Sequence, residues 1–273
     1  MFKDIVQSLT TRYGAGEARA LTFILLEDAF SVPRLDIYTD KVRHFSEEEQ
    51  CRLANILQRL QDGEPIQYIL GSAPFCGLRF HVTPATLIPR PETEELVDWA
   101  GTVSGTVLDA GTGSGCIAIA LAHRNPQARV TAWDISPEAL KVAAVNAKDN
   151  GVKVNFELHD MLEDLPEAQS FDLIVSNPPY VCEKEKKEME EHVLRHEPAT
   201  ALFVPDDDPL RFYKALARLG AHALRPGGAI LMEINRTYGP ETLSLFQNEH
   251  FTSAELRKDD FGNDRMIKAI RKG

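Results

Sequence analysis

The sequence predicts an α/β fold: a doubly wound, mainly parallel sheet preceded by a small helical bundle. Three observations predict it. From residue 106 onward, short apolar strands alternate with helical segments, the order that builds parallel sheets covered by helices. A glycine-rich turn, Asp109-Ala110-Gly111-Thr112-Gly113-Ser114-Gly115, stands between the first of these strands and its helix. Before residue 64, apolar residues instead recur at helical spacing.

The front part reads as helices throughout. Phe2, Ile5, Val6, Leu9 and Tyr13 share one helical face, and a second apolar-rich stretch covers Glu17 to Phe30. Ser46 with Glu49 forms a capping box. The helix it opens carries Leu53, Ile56, Leu57 and Leu60 on one side and stops near Gly63. Residues 1–63 are therefore expected to form a helical domain. Over 64–91, Gly71, Pro74, Gly77, Pro84, Pro89 and Pro91 punctuate short β-type pieces, which predicts a hairpin or extended connector. A third part, 92–273, opens on a helix from Glu92 to Trp99 with acids in its first turn.

Within that third part the strands are Thr106 to Asp109, Arg129 to Asp134, Val154 to His159, Asp172 to Ser176 and Ala229 to Glu233. Helices are expected from Cys116, from Pro137 to Lys148 behind the N-cap Ser136, and from Pro209 to Leu224. The segment Cys182 to Glu191, dense in Lys and Glu, reads as a solvated helix or loop.

Composition limits the function classes. With 43% apolar and 26% charged residues, the chain has the make-up of a water-soluble globular protein. No apolar run approaches membrane-spanning length; Leu21 to Leu26 is far too short. A net charge of −11 argues against stable nucleic-acid binding, which usually shows a basic face. Four cysteines (Cys51, Cys76, Cys116, Cys182) are widely spaced with no C-x-x-C, so neither a zinc knuckle nor a disulfide framework is indicated, and a reducing cytoplasm is expected. His192 and His196 sit four residues apart with no evident third ligand. A solvated helix face is the simpler reading, and no metal is expected.

The glycine-rich turn brings backbone close to a ligand at a helix N-terminus and a strand's carboxyl end. Gly113-x-Gly115-x-x-Ala118 also fits a dinucleotide pattern, and Asp134 at the next strand end suits a ribose diol of either an NAD or an adenosyl ligand. Two features separate these. Asp109 places a carboxylate directly before the glycines, where it suits a positive amino or sulfonium group and would repel a pyrophosphate. Asn177-Pro178-Pro179-Tyr180 follows the fourth strand, and two consecutive prolines can continue neither sheet nor helix. An amide, a carbonyl freed from any ladder and an aromatic ring then project from a strand end, a set that can hold a planar NH2 group.

These motifs in this order resemble a class I S-adenosylmethionine-dependent methyltransferase acting on a planar nitrogen. Glu64 to Gly71, Thr86-Leu87-Ile88-Pro89-Arg90-Pro91-Glu92-Thr93-Glu94, Arg195-His196-Glu197-Pro198 and Gly262-Asn263-Asp264-Arg265 narrow the resemblance to the peptide chain release factor glutamine methyltransferases. The match spans nearly the whole chain. It implies a Rossmann-like seven-stranded sheet and transfer of a methyl group from S-adenosylmethionine to the glutamine amide nitrogen in the Gly-Gly-Gln loop of release factors. It further implies that Asp109, Gly111 to Gly115 (including Thr112, Gly113 and Ser114), Asp134, Asp160, Met161 and Asn177 bind the cofactor. Asn177, Pro178, Pro179 and Tyr180 would hold the substrate glutamine, with Asn177, Pro178 and Tyr180 orienting it for attack. The helical front would recognise the release factor, and a monomer is expected.

Two departures stand out. Met161 occupies a position that is often aromatic in the family, and Glu233-Ile234-Asn235 replaces the usual Glu-x-Gly. Arg90 and Glu92 read equally well as a site rim or as structural ion pairs. The rival readings are a glutamine methyltransferase for another protein such as a ribosomal protein, a DNA adenine amino-methyltransferase, an NAD(P)-dependent oxidoreductase and a non-catalytic adaptor. The −11 charge opposes the DNA enzyme, and Asn177-Pro178-Pro179-Tyr180 opposes the oxidoreductase.

Overall fold

A computed structural model describes residues 1–39, 41 and 44–273. The described residues divide into two compact units. One comprises Met1–Gly71 with Glu190–His196, and the other Ser72–Met189 with Glu197–Gly273.

The first unit is helical. Helix α1 (Phe2–Ile24) consists of two helical pieces meeting at Gly14, whose φ of 72° only glycine adopts readily, and it runs on through a π-helical turn, Leu25–Ala29. Then follow α2 (Arg34–Tyr38), α3 (Glu47–Gln61) and α4 (Ile66–Leu70). The predicted capping box is present: Glu49 N donates to Ser46 Oγ at 3.2 Å, and Ser46 N to Glu49 Oε2 at 2.9 Å. Leu9, Leu25, Leu26 and Leu60 are fully buried at its centre. Ile66–Leu70 is helical where the sequence suggested extended chain, and Gly71, at φ 71°, ends that helix.

The second unit opens with a hairpin, β1 (Ser72–Phe75) against β2 (Leu78–His81), and helix α5 (Pro91–Ala100). Alternation then follows as the sequence predicts: β3 (Thr106–Ala110), α6 (Cys116–Arg124), β4 (Arg129–Asp134), α7 (Pro137–Asp149), β5 (Val154–Leu158) and β6 (Phe171–Ser176). A short excursion carries β7 (Val181–Cys182), a 3₁₀ turn over Glu183–Glu188, α8 (Glu191–His196), α9 (Ala199–Leu202) and β8 (Phe203–Val204). In this stretch α8 belongs to the helical unit. The charged 182–191 stretch starts on the last residue of β7 and continues as a 3₁₀ turn over Glu183–Glu188 with no buried side chain, a short solvated helix. Helix α10 (Arg211–Ala223), β9 (Leu224–Glu233), α11 (Gly239–Ser244), β10 (Phe251–Lys258) and β11 (Asp264–Arg271) complete the chain.

The main sheet has seven strands in the order β10-β11-β9-β6-β3-β4-β5. Strands β3 to β6 and β9 run parallel, and β11 inserts antiparallel between β9 and β10. Strand order therefore reverses between β3 and β6. In open α/β sheets ligands bind in the crevice at that point, beyond the carboxyl ends of the strands. One core cluster, including Val107, Ile119, Val130 and Leu231, lies between the sheet and α5 to α7. A second, including Leu108, Ile174, Tyr213 and Ile230, lies on the α10 side.

Candidate active site

A cavity of 330 Å³ opens where the loops after β3, β4, β5 and β6 meet. The β3 loop supplies Gly111, Thr112, Gly113 and Ser114 to its wall; β4 supplies Asp134; the segment after β5 supplies Asp160 and Met161; β6 supplies Asn177 and Pro179. Residues as far apart in sequence as Gly111 and Pro179 thus converge because parallel strands all end on the same side.

The glycine loop is pinned before any ligand arrives. Gly111 N and Thr112 N both donate to the carbonyl of Trp133, at 2.9 and 2.8 Å, so the loop is tied to the end of β4. Asp134 completes the tie: its Oδ2 accepts from Gly113 N at 2.8 Å and its Oδ1 from Ser136 N at 2.9 Å. Ser176 Oγ donates to the Ala110 carbonyl at 2.6 Å, joining the ends of β6 and β3.

Gly115 caps α6 at φ 83°. A Cβ there would stand 2.9 Å from Ile119 Cδ1 and 3.1 Å from Ala143 Cβ, inside normal contact with both α6 and α7. Gly115→Ala is therefore expected to destabilise the protein by about 2 kcal/mol through left-handed strain and overpacking. Chemical denaturation checks this, and an unchanged midpoint would contradict it.

Asp109 is fully buried beneath the loop and is not on the cavity wall. Its Oδ2 accepts from Thr112 Oγ1 at 2.6 Å and from Ala118 N at 3.1 Å, so it fastens the loop to the start of α6. Burial pushes its carboxyl up to about 7, opposed by those two hydrogen bonds, and Oδ1 has no protein partner among the described residues. Burial also raises Asp134, against the pull of the Ser136 and Gly113 amides. Asp134 is the acid of the pair that lines the cavity, where a carboxyl group suits a ribose diol and disfavours a pyrophosphate. The tethered Asp134 and the open space around Gly113, where an added Cβ meets nothing within 4 Å, together fit S-adenosylmethionine.

Asp160 forms a local turn, its Oδ1 accepting from Leu162 N at 2.8 Å. Buried Met161 lies against the glycine loop, its Cε 2.8 Å from where a Gly111 Cβ would stand. Of the tetrapeptide, Asn177 and Pro179 line the cavity, whereas Pro178 is buried off the wall. Tyr180 is also off the wall. Its hydroxyl donates to Glu233 Oε1 at 2.8 Å, and its own ionisation is pushed well above the usual range, by burial first and then by the Glu233 charge.

Arg90, read from sequence as rim or structural pair, and Thr93, which sequence left without a role, also line the cavity. Arg90 reaches the wall and pairs with the buried Glu197, Nη2 to Oε1 at 2.5 Å, while Glu197 Oε2 accepts from Ile88 N at 3.1 Å. The Arg90 rim and the Arg-His-Glu-Pro motif are thus one structure. Thr93 also lines the cavity and bonds to both Asn177 and Glu233. The signal for Glu233 was present in the sequence: it is an acid at the carboxyl end of a strand, and its strand neighbours the one that leads to Asn177. Among the described residues no cluster of three metal-ligating side chains occurs, and no helix is long and apolar enough to cross a membrane.

Comparison with known proteins agrees with this geometry. Residues 2–71 match the family described as PrmC N-terminal domain, and residues 93–202 the Methyltransferase small domain. The chain is 48% identical over 98% of both lengths to a release factor glutamine methyltransferase of Bacteroides thetaiotaomicron. It is 42% identical to one of Flavobacterium psychrophilum, covering 97% of this chain and 96% of the relative. A methyltransferase structure from Pyrococcus furiosus superposes with a TM-score of 0.54 at 20% identity, over 81% of this chain and 99% of that one, which shows the shared fold. With identity at this level over nearly the full length, and with residues 2–71 and 93–202 each matched by a family model, the chain belongs to the release factor glutamine methyltransferase family.

Proposed function

We infer that this protein transfers a methyl group from S-adenosylmethionine to the side-chain amide nitrogen of a glutamine in peptide chain release factors, the glutamine of their Gly-Gly-Gln loop. The observation that carries the reading is Asn177, set at the cavity beside the tethered glycine loop and anchored through its own NH2 group, Nδ2 donating to Thr93 Oγ1 at 3.0 Å. When bound, S-adenosylmethionine supplies an electrophilic methyl group on a positively charged sulfur. This chain's residues bind and orient. The Gly111 to Gly115 loop, Asp134, Asp160 and Met161 hold the donor, and Asp109 keeps the loop in shape from below.

An amide nitrogen is a poor nucleophile because its lone pair is delocalised into the carbonyl, and no ordinary side chain deprotonates it near neutral pH. The work that remains is orientation, which lowers a barrier by up to about 7–11 kcal/mol in favourable cases. Asn177 Oδ1 and the Pro178 carbonyl accept the two N–H bonds of the glutamine amide. They fix its plane and favour the positive charge that grows on nitrogen. Pro179 offers the flat amide an apolar surface, and Tyr180, held at Glu233, fixes where the Pro-Pro turn ends. The nitrogen's surplus proton becomes acidic once the new bond forms and leaves to water. The helical unit is assigned to recognition of the release factor body. The protein acts as a cytoplasmic monomer without stable nucleic-acid contacts.

The test uses labelled S-adenosylmethionine with a purified release factor, its Gln→Ala variant in the Gly-Gly-Gln loop, a ribosomal protein fraction and DNA. Label on the intact factor and on none of the others is expected. Label on DNA, or equal label on the Gln→Ala factor, would overturn the reading.

A further inference from the structure

Glu233 is 1% exposed, lies outside the cavity wall and, in the reaction as described, does no more than hold Tyr180. Its two oxygens are nevertheless both engaged, each by a different residue of the site. Oε2 accepts from Thr93 Oγ1 at 2.7 Å, and Oε1 accepts from Tyr180 OH at 2.8 Å. Thr93, itself 2% exposed, accepts in turn from Asn177 Nδ2 at 3.0 Å. A threonine hydroxyl has one proton and two lone pairs. Once that proton is committed to a carboxylate, only lone pairs face Asn177. The Asn177 amide must then turn its NH2 toward Thr93 and its Oδ1 the other way. In the opposite orientation two oxygens would face each other without a proton between them, at a buried position where an unmade bond is costly.

We propose that Glu233, acting through Thr93, is the positioning residue that sets the amide orientation of Asn177 and so makes the site an acceptor for a substrate NH2 group. The same carboxylate fixes Tyr180, so both ends of the Asn177-Pro178-Pro179-Tyr180 turn are held from one point. The fold supplies the arrangement: β6 and β9 are paired neighbours with Ser176 opposite Met232, which places Asn177 and Glu233 side by side at the strand ends. Helix α5 brings Thr93 between them from a position 84 residues before Asn177. Burial raises the Glu233 carboxyl, while the Thr93 and Tyr180 hydroxyls and the nearby Arg265 charge pull the other way and favour the charged acceptor. Arg265 is held by the buried Asp259, Nε to Oδ2 at 3.0 Å, which gives the Gly262-Asn263-Asp264-Arg265 segment a place in the same device.

The inference rests on the reading of Asn177 as the acceptor of the glutamine amide, and the experiment separates the two. Full-length wild type, Thr93→Val, Thr93→Ser and Glu233→Gln are compared on an intact release factor, with cofactor affinity measured by calorimetry. Thr93→Val keeps the volume but removes the hydroxyl, and is expected to lower kcat at least ~10-fold with KM and cofactor Kd within about threefold. Thr93→Ser restores the hydroxyl and is expected to stay within about threefold of wild type. In Glu233→Gln an amide NH2 can face Thr93, freeing its proton to bond Asn177 Oδ1 and turn the wrong group to the substrate. A loss of kcat of at least ~10-fold is expected there too. In an Asn177→Ala background Thr93→Val should cost less than about twofold more, since the group it orients is gone.

Turnover near wild type in both Thr93→Val and Glu233→Gln, or an undiminished Thr93→Val effect without Asn177, would overturn the proposal. Should Thr93→Val fail to fold, Glu233→Gln and Thr93→Ser decide it: a fully active Glu233→Gln, or a Thr93→Ser as impaired as Glu233→Gln, counts against it. A wild-type chain that leaves the release factor unlabelled overturns the functional reading instead.

Discussion

Asn177→Ala is expected to lower the rate of glutamine methylation at least ~100-fold while changing S-adenosylmethionine affinity by less than about threefold. In the proposed role the amide oxygen of Asn177 accepts a bond that matters most as positive charge grows on the substrate nitrogen, so its loss would fall on the transition state. The truncation also strands Thr93, whose lone pairs lose the Asn177 NH2 at 3.0 Å. Thr93 is buried, and an unpaired acceptor there adds roughly 1–3 kcal/mol of local cost. Asn177→Asp is expected to be no better: it keeps the shape, but brings a second carboxylate toward Glu233 across the shared Thr93. Single-turnover labelling of the release factor, with cofactor titration alongside, checks this. Activity of Asn177→Ala within tenfold of wild type would remove Asn177 from the reaction.

Asp134→Ala is expected to weaken S-adenosylmethionine binding by about 100-fold or more, because two losses combine. One is the pair of bonds the proposal gives this carboxylate to the ribose diol. The other is internal: Asp134 Oδ2 holds Gly113 N at 2.8 Å and Oδ1 holds Ser136 N at 2.9 Å, so the variant loosens the glycine loop from β4 as well as removing a ligand group. Asp134→Asn separates the two effects. Its remaining carbonyl oxygen can keep one of the two backbone bonds, and it is expected to fall between wild type and Ala. Calorimetry on the purified protein measures both, and an unchanged Kd for the Ala variant would refute the ribose assignment.

The alternation of strand and helix from Thr106 onward was legible because a parallel strand buried on both faces must be a short apolar run, and a covering helix must carry an apolar stripe. Gly115 was legible as the last glycine of a strand-to-helix turn, while its left-handed φ and its packing against Ala143 were not. The chain around Ile66 was less so. Five residues are too few to show a period, and the helix there depends on burial of Ile66 and Tyr68. Asp109 shows the limit most clearly. Its place before the glycines suggested contact with the ligand, and only the coordinates put it under the loop, bonded to Thr112 and Ala118.

Sequence alone was enough for the fold class and pointed to the glycine loop, Asp134 and Asn177, since each rests on local rules of backbone freedom, strand ends and proline that act within a few residues. Tertiary structure alone decided which residues share a hydrogen bond across long separations. Thr93 and Glu233 meet 140 positions apart, and Arg90 and Glu197 meet 107 apart. Such pairings follow from strand order and helix packing, and no local pattern encodes them. The orientation of the Asn177 amide belongs to that second class, because it is set by where a distant carboxylate directs the single proton of Thr93.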